Sequence, residues 1–324
     1  MADAEVGDDV YGEDPTVRRL EEQTAERLGL PAGLFVTSGT LGNQLAIGVH
    51  CLPGDELFAE ASSHCLFYEG GACSALWGVQ PRMFSSERGI FTWEQVRPNL
   101  RSEDIHAPRS RMLALENTHN RGGGSVWPLE DFRDVAAAAH AAGLKVHLDG
   151  ARLFNAEVAS KISASEFSKL TDSTTVCFSK GLGAPVGSVL CGSVDFIREA
   201  RRLRKRLGGG MRQAGILAAA ALFALHHNVE RLAQDHLHAR HLAEGLASMP
   251  GVSVDLARVE TNLVYADVPG AAGEWVARLK KEGVLVNPSG LNPRSVRLAC
   301  HLDVSAEDVE QTLKTFRRLL GDRN

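Results

Sequence analysis

The sequence predicts an α/β protein whose large domain holds a mostly parallel sheet and precedes a small α+β C-terminal domain. Between residues 34 and 192, short apolar runs alternate with longer amphipathic stretches, which is typical of strand–helix units that build a parallel sheet covered on both faces. After residue 229 the order becomes strand, helix, strand, helix. We therefore expect a large domain over residues 1–229 and a small domain over residues 230–324.

Each element of the large domain is predicted from its own run of residues. Apolar runs that favour strands lie at 34–36, 56–59, 112–115, 146–148, 175–178 and 188–191. A helix is predicted to begin near Thr40, and apolar residues at helical spacing predict another over 129–142. A long helical stretch is expected over 212–249, with a break near residues 227–228.

The small domain is predicted to contain three strands and two helices. The strands are expected at 252–256, 262–266 and 296–299, and one helix over 272–282. Ser305 is predicted to cap the last helix, because Glu307 and Asp308 follow it in the first turn, where the helix dipole favours acidic side chains.

Composition and net charge argue against some classes of binding partner. Hydrophobic residues make up 44% of the 324 residues and the net charge is −5, which argues against nucleic acid or an anionic membrane as a partner. The basic segment REARRLRKR at 198–206 is interpreted as a solvated helix. No apolar run is long enough to span a bilayer, and the first residues lack the pattern of a signal peptide. Six cysteines without a C-x-x-C pair predict free buried thiols, no metal site and a cytoplasmic location.

A lysine and an aspartate follow two of the predicted strands. Lys180 comes after the run 175–178, with glycine next to it. Most lysines are solvated loop residues, but a lysine at the carboxyl end of a strand can also form an imine with an aldehyde cofactor. Asp149 closes the run 146–148, where it can cap a helix, pair with Arg152, or keep a pyridine nitrogen protonated. Aspartate on one strand and lysine on a later one is the arrangement of pyridoxal-phosphate (PLP) sites.

Other polar residues also follow predicted strands. Ser38, Gly39 and Thr40 lead into a helix, whose first amides can bind a phosphate or simply be capped. His64 can stack on a cofactor ring or act as a base, or it can be a core histidine. His119 lies in a polar cluster that can contact substrate or form a turn. Carboxyl ends of parallel strands meet at one sheet edge, so we expect these residues to share one site.

Several long stretches resemble those of the low-specificity L-threonine aldolases, which are aspartate-aminotransferase-like (fold type I) PLP enzymes. They occur in the family order and extend nearly to the C-terminus. The stretches are VGDDVYGEDPT at 6–16, SGTLGNQ at 38–44, ENTHN at 116–120, HLDGARLFNA at 147–156, SKGLGAPVGS at 179–188, GGGMRQAGILAAA at 208–220 and VRLACH at 296–301.

The resemblance implies PLP as the cofactor and a role for each matching residue. Lys180 would hold PLP covalently, Asp149 would pair with its pyridine nitrogen, and His64 would stack on its ring. The remaining cofactor-binding residues implied are Ser38, Gly39, Thr40, Arg152 and Arg212.

The resemblance also implies the substrate contacts. Arg152 and Arg297 would bind the substrate carboxylate, His119 would lie near the substrate hydroxyl, and Tyr68 would flank the side-chain pocket. The catalytic base is left open among His64, His119 and a bound water.

The implied reaction is aldol cleavage of L-threonine or L-allo-threonine into glycine and acetaldehyde. Two alternatives stay open: another PLP reaction, such as β-elimination or transamination, and a PLP-binding but poorly active protein. The family is usually tetrameric, so a homo-oligomer is expected. The family arm containing Ser-Asp-Thr-Val-Thr precedes VGDDVYGEDP and is missing here, so carboxylate binding is expected to depend on Arg152 and Arg297 alone.

Overall fold

The large sheet has seven strands in a computed structural model that describes residues 1–321. Its strand order is β1-β7-β6-β5-β4-β2-β3. Only β7 runs antiparallel to its neighbours, so the sheet is mostly parallel as predicted. The strands are β1 (Ala32–Val36), β2 (Glu56–Glu60), β3 (Gln80–Phe84), β4 (Ser110–Glu116), β5 (Lys145–Gly150), β6 (Ser173–Cys177) and β7 (Ser188–Gly192).

The six strands predicted for this sheet are present, and β3 is the one that sequence patterning missed. The segment Gln80–Phe84 reads QPRMF and is mostly exposed, so it lacks an apolar run. Pro81 is tolerated because β3 lies at the edge of the sheet, where one side of the strand needs no partner.

Ten α-helices accompany this sheet within residues 1–321, and their ends follow ordinary capping chemistry. Asp14 caps the first helix by accepting hydrogen bonds from the amides of Thr16 and Val17. Ser38 caps the second through its hydroxyl. The helices are α1 (Pro15–Leu28), α2 (Gly39–His50), α3 (His64–Phe67), α4 (Ala72–Trp77), α5 (Trp93–Val96), α6 (Leu129–Ala141), α7 (Leu153–Ser160), α8 (Ala164–Ser168), α9 (Val194–Arg206) and α10 (Gly215–His227).

The C-terminal part packs three helices on a small antiparallel sheet of order β8-β10-β9. The break expected near residues 227–228 is confirmed, because α10 ends at His227 and the next helix begins at Leu232. The Ser305 hydroxyl accepts from the amide of Asp308 at 3.1 Å, as predicted for the last helix. The elements are α11 (Leu232–Ala247), β8 (Leu263–Asp267), α12 (Ala272–Lys281), β9 (Asn287–Pro288), β10 (Ser295–Ala299) and α13 (Ala306–Gly321).

The strand predicted over 252–256 is wrong. Ser253 forms only an isolated bridge with Asp267, and a short 3-10 helix follows at Leu256–Arg258. The side chain of Asp255 accepts a hydrogen bond from the amide of Ala257, which favours a local turn over a sheet ladder.

Two hydrophobic clusters divide the molecule near the predicted boundary at residue 230. One lies between the large sheet and its helices and extends to Leu232, and the other begins at Ala239 and gathers α11, α12, α13 and the small sheet. This division supports the boundary, which stays a prediction.

All six cysteines are free and buried. Within residues 1–321, no helix combines the length and apolar character needed to cross a bilayer.

Candidate active site

A cleft of about 350 Å³ opens where the carboxyl ends of the parallel strands face the small domain. Five of its residues were predicted from the sequence, namely His64, Tyr68, Arg152, Lys180 and Arg297. Sequence reasoning missed the other four, Asn120, Asn287, Pro288 and Ser289. A cavity of about 460 Å³ lies nearby, but two of its three arginines, Arg88 and Arg258, are paired with Glu260 and Glu87.

Lys180 projects from the loop that follows β6 and is half-buried at the cleft. Its carbonyl accepts a hydrogen bond from the amide of Gly183 at 2.9 Å, which closes a turn around it. A Cβ on Gly181 would lie 2.7 Å from a methyl carbon of Leu232, so glycine is needed for the loop to pack against α11. The loop thereby holds the amine in the cleft without giving it an ion-pair partner among the described residues.

Asp149 ends β5 and is 3% exposed. Its Oδ2 accepts a hydrogen bond from Nδ2 of Asn43 at 2.7 Å, and its Oδ1 accepts one from the amide of Ala151 at 3.1 Å. Both bonds fix the orientation of the carboxylate. A buried carboxylate of this kind can hold a proton on an adjacent pyridine nitrogen.

His64 begins α3 and is fixed at two points. Its backbone amide donates to Oε2 of Glu116 at 2.7 Å, and its ring Nδ1 lies 3.0 Å from Oε1 of Glu69. The hydrogen bond with Glu69 raises the pKa of His64 above its usual value, although burial acts in the opposite direction. The ring of Tyr68 lies 5.5 Å away, tilted by 39°. The imidazole is therefore held rigidly at the cleft wall, as a stacking partner must be.

Glu69 is a central residue of the site that sequence reasoning missed. It is buried, and its two oxygens accept hydrogen bonds from Asn43 at 2.9 Å and Gln44 at 2.7 Å. Ligand atoms of His64, Glu69 and Asp149 lie within 4.8 Å of one another, which is close enough for a metal ion. Because Asn43 already donates to both carboxylates, the geometry is that of a hydrogen-bond network.

The start of α2 provides the expected anion-binding end. The Ser38 hydroxyl accepts from the amide of Leu41 at 3.1 Å, so this side chain is used in capping. A Cβ on Gly39 would lie 2.7 Å from Sγ of Cys177, so only glycine allows the helix start to approach the end of β6. Thr40 follows, half-buried. The first amides of a helix attract a phosphate through their hydrogens and the helix dipole.

Two arginines, Arg152 and Arg297, line the cleft. Arg152 follows β5, Arg297 lies on β10, and Nε of each is buried with no hydrogen-bond partner among residues 1–321. Burial lowers the pKa of Arg152, and the neighbouring positive charge of Arg297 lowers it further. Two close guanidinium groups of this kind favour a carboxylate or phosphate ligand.

Arg121 connects the two sides of the cleft mouth, and it too was missed. Its guanidinium lies over the ring of Phe67, 4.2 Å from the centroid, and donates to the hydroxyl of Tyr68 at 3.2 Å. It also donates to the carbonyls of Ser289 and Gly290 at 3.4 and 2.9 Å. Tyr68 and the small-domain loop are therefore held by one residue.

Six predicted residues do not line this cleft: Asp149, Ser38, Gly39 and Thr40, described above, and His119 and Arg212. His119 is 1% exposed; its Nδ1 accepts from the amide of Gly122 at 3.0 Å, and its Nε2 lies 3.4 Å from Oε2 of Glu60. Burial lowers the pKa of His119, but the nearby carboxylates of Glu116 and Glu60 outweigh this and raise it. Arg212 is exposed and pairs with Asp8 at 2.6 Å. Their assigned roles remain predictions.

The residues present fit PLP in their chemistry. The amine of Lys180 and the imidazole of His64 line the cleft, and the buried carboxylate of Asp149 lies within 4.8 Å of that imidazole. The start of α2 packs through Gly39 against Cys177, at the end of the strand that leads to Lys180. These are the groups needed to bind an aldehyde, a pyridine nitrogen, an aromatic ring and a phosphate. Within residues 1–321, Nε of Arg152 and Nε of Arg297 have no hydrogen-bond partner, so these two guanidinium groups can bind a carboxylate.

Comparison with known proteins gives consistent results at the level of sequence. The family model named beta-eliminating lyase matches residues 1–269. The low specificity L-threonine aldolase of Escherichia coli K12 is 40% identical over 326 residues, covering 99% of this chain and 94% of that protein. Low-specificity L-threonine aldolase 1 of Arabidopsis thaliana is 42% identical over 328 residues, covering 99% and 91%.

Solved structures share the fold. Threonine aldolase of Leishmania major matches with a TM-score of 0.81 at 21% identity, covering 96% of this chain and 91% of that one. Serine palmitoyltransferase of Sphingomonas wittichii matches with a TM-score of 0.77 at 19% identity, covering 98% and 80%. The predicted fold type I architecture is thereby confirmed.

Proposed function

Because this chain belongs to the beta-eliminating lyase family and, within it, to the low-specificity L-threonine aldolases, we propose that it cleaves L-threonine and L-allo-threonine into glycine and acetaldehyde. It is a PLP-dependent lyase. The observation that carries the substrate proposal is the pair Arg152 and Arg297, which line the cleft with Lys180 and whose Nε atoms have no hydrogen-bond partner among residues 1–321.

The residues that would hold the cofactor lie on the large domain. Lys180 would bind it covalently, and Asp149 would keep the proton on its pyridine nitrogen. His64 would stack on its ring, and the amides at Gly39 and Thr40 would bind its phosphate. When bound, PLP withdraws electrons from Cα of the substrate and so stabilises the charge left there when a bond breaks.

The residues that would hold the substrate decide which bond breaks. A bond at Cα is weakened most when it stands perpendicular to the cofactor ring, so binding has to fix one orientation. Arg152 and Arg297 lie in different domains and would fix the carboxylate from two sides. Their geometry would place the Cα–Cβ bond for cleavage, while Tyr68 would flank the departing aldehyde.

A base must take the proton of the β-hydroxyl as the aldehyde forms. His64 lines the cleft with Nδ1 bonded to Glu69, which leaves Nε2 for the substrate or a water. His119 is buried behind it against Glu60 and Glu116. We infer that proton removal occurs through His64 or a water held by it, and that His119 supports the site from behind.

The decisive experiment is product analysis with L-threonine. The PLP-loaded protein is expected to release glycine and acetaldehyde in equal amounts. β-Elimination would instead yield 2-oxobutanoate and ammonia, and transamination would transfer the amino group to the cofactor without releasing an aldehyde. Either result would overturn the proposal.

The wider setting of the enzyme is also a proposal. Free buried cysteines are typical of a reducing compartment, which supports a cytoplasmic location. Exposed Phe67 and Tyr68 beside the cleft support burial in a homo-oligomer, either a dimer or a tetramer. In that setting the enzyme would supply glycine and break down threonine. Sedimentation at micromolar concentration would test the assembly.

A further inference from the structure

A chain of buried hydrogen bonds leaves the candidate site on the side away from the cleft. It runs from Asp149 to Asn43, then to His147, Ser173 and finally His50. The successive distances are 2.7, 3.1, 2.9 and 2.9 Å. Every member is at most 8% exposed.

The secondary structure explains this alignment. His147 and Asp149 are two residues apart on β5, so both point to the same face of the sheet. Ser173 is the register partner of His147 on β6. Asn43 and His50 are seven residues apart on α2, which covers this face, so they lie on one side of the helix. The series of hydrogen bonds therefore passes beneath α2 from the carboxyl end of β5 toward the amino end of β6.

The direction of each hydrogen bond follows from the carboxylates. Nδ2 of Asn43 lies 2.7 Å from Asp149 and 2.9 Å from Glu69, so both of its hydrogens are donated to carboxylates. Its Oδ1 must then accept from Nε2 of His147. Burial lowers the pKa of His147 to about 4, so the ring is neutral and its Nδ1 is an acceptor.

The remaining directions are fixed in turn. The hydroxyl of Ser173 must donate to Nδ1 of His147, and it can then only accept from Nε2 of His50. Burial lowers the pKa of His50 to about 3, so this ring is neutral as well. All donors thus point toward Asp149. The side-chain amide of Asn43 cannot relay a proton. This series of hydrogen bonds therefore aligns dipoles and does not transport protons.

We propose that His147, Ser173 and His50 are positioning residues that lock the side-chain amide of Asn43 so that it donates to Asp149 and Glu69. This keeps the carboxylate of Asp149 aimed at the pyridine nitrogen. The inference rests on the proposed role of Asp149. It assigns a function to His147, a member of the HLDGARLFNA motif for which the mechanism has no other use.

Two substitutions at His147 separate positioning from packing. Glutamine can place an amide donor where Nε2 of the imidazole lies, so His147→Gln is expected to preserve the bond to Asn43. His147→Leu fills similar space without a donor. Ser168→Ala is the matched control, because this buried serine also loses hydrogen bonds on substitution but lies on α8, outside the chain.

The first measurement uses cofactor-free protein labelled with ¹⁵N in histidine. His147 is expected to be neutral with its proton on Nε2. A proton on Nδ1 would contradict the bond directions and overturn the proposal. This readout is independent of catalysis and of the cofactor.

The second measurement uses PLP labelled with ¹⁵N in its ring, bound to each variant. The wild type, His147→Gln and Ser168→Ala are expected to show a protonated ring nitrogen, and His147→Leu a shift toward the unprotonated form. The kcat of His147→Leu should fall about tenfold, the effect of one lost hydrogen bond, while KM stays within about twofold. An unchanged ring nitrogen in His147→Leu would overturn the proposal.

Two further outcomes are distinguishable. An unprotonated ring nitrogen in the wild type would refute the proposed role of Asp149 itself, whatever the tautomer of His147. If His147→Leu does not fold, Ser173→Ala decides, because it keeps the imidazole and removes the donor to its Nδ1, together with the acceptor of His50. Its ring nitrogen should shift in the same direction with a fall in kcat of about threefold, and a wild-type result would overturn the positioning role.

Discussion

The floor and the mouth of the site are built in opposite ways. We define the floor as Asp149, Asn43, Glu69 and His147, and the mouth as Arg152, Arg297, Tyr68, Arg121 and Ser289. At the floor, the side-chain groups are buried and joined by hydrogen bonds of 2.7–3.1 Å. At the mouth, the guanidinium groups of Arg152 and Arg297 include buried Nε atoms without a partner among residues 1–321.

This difference matches the residence times of the two ligands. A cofactor that stays through many turnovers benefits from donors and acceptors that are already oriented before it binds. A substrate that enters and leaves needs hydrogen-bonding capacity that is free until it arrives. All floor residues precede residue 230, whereas the mouth also includes Ser289 and Arg297 from the C-terminal part of the chain.

The largest expected effect concerns Lys180, which lies between the floor and the mouth. Lys180→Ala removes the amine that would bind the cofactor covalently, so turnover should fall about a thousandfold or more. Borohydride reduction of the wild type, followed by peptide mapping, should place the pyridoxyl group on Lys180. Lys281→Ala, at an exposed lysine of α12, is the control and should retain full activity. A label on any other lysine would contradict the assignment.

The next effect tests the floor. Asp149→Asn keeps the shape of the side chain but removes the charge that would hold the pyridine proton. Breaking a buried ion pair costs about 3–5 kcal/mol, so kcat should fall roughly a hundredfold to several thousandfold. PLP should still bind, because Lys180 and the start of α2 are unchanged. Steady-state kinetics and the visible spectrum check both statements, and near-normal kcat would show that the floor has another purpose.

Some residues of the site could be predicted from the sequence and others could not. Lys180, Asp149 and His64 each follow an apolar strand, and the geometry of parallel sheets brings such positions to one edge. The long matching stretches also predicted the family and the fold, both of which are confirmed. Local patterns of this kind can be predicted because the periodicity of strands and helices depends on residues that are close together in the sequence.

The missed residues depend on contacts between distant segments. Glu69 follows a four-residue helix in the segment LFYEGG, and nothing in that segment indicates that it accepts hydrogen bonds from α2. Arg121 and Ser289 are 168 residues apart and meet only because the small domain folds over the cleft. In the ENTHN motif the polar pattern was right, but Asn120 lines the cleft where His119 was expected.

A smaller effect is expected at the mouth. Arg297→Ala removes one of the two guanidinium groups that would bind the substrate carboxylate, a loss of about 1.5–3 kcal/mol. KM for threonine should rise roughly tenfold to a hundredfold, with a smaller change in PLP affinity. Arg294→Ala is the control, because this exposed arginine lies just before the same strand and donates to the carbonyl of Val268. Equal changes in both variants would argue against a carboxylate site.

The smallest expected effect is a shift in the pH dependence of kcat. A base must be unprotonated to accept the hydroxyl proton, so activity should fall as the pH drops through the pKa of His64. The hydrogen bond with Glu69 raises the pKa of His64 despite the opposing effect of burial, so this acid limb should lie at a higher pH than that of an ordinary imidazole. Removing that bond in Glu69→Gln should move the limb to lower pH.

Two controls separate the roles of the ring. His64→Phe keeps an aromatic ring for stacking but removes the titrating group, so the acid limb should disappear and kcat should fall about tenfold or more. Glu56→Gln alters a buried glutamate at the opposite end of β2 and should leave the limb in place. If the limb persists unchanged in His64→Phe, the proton is removed by another group. His64 would then serve only to hold the cofactor.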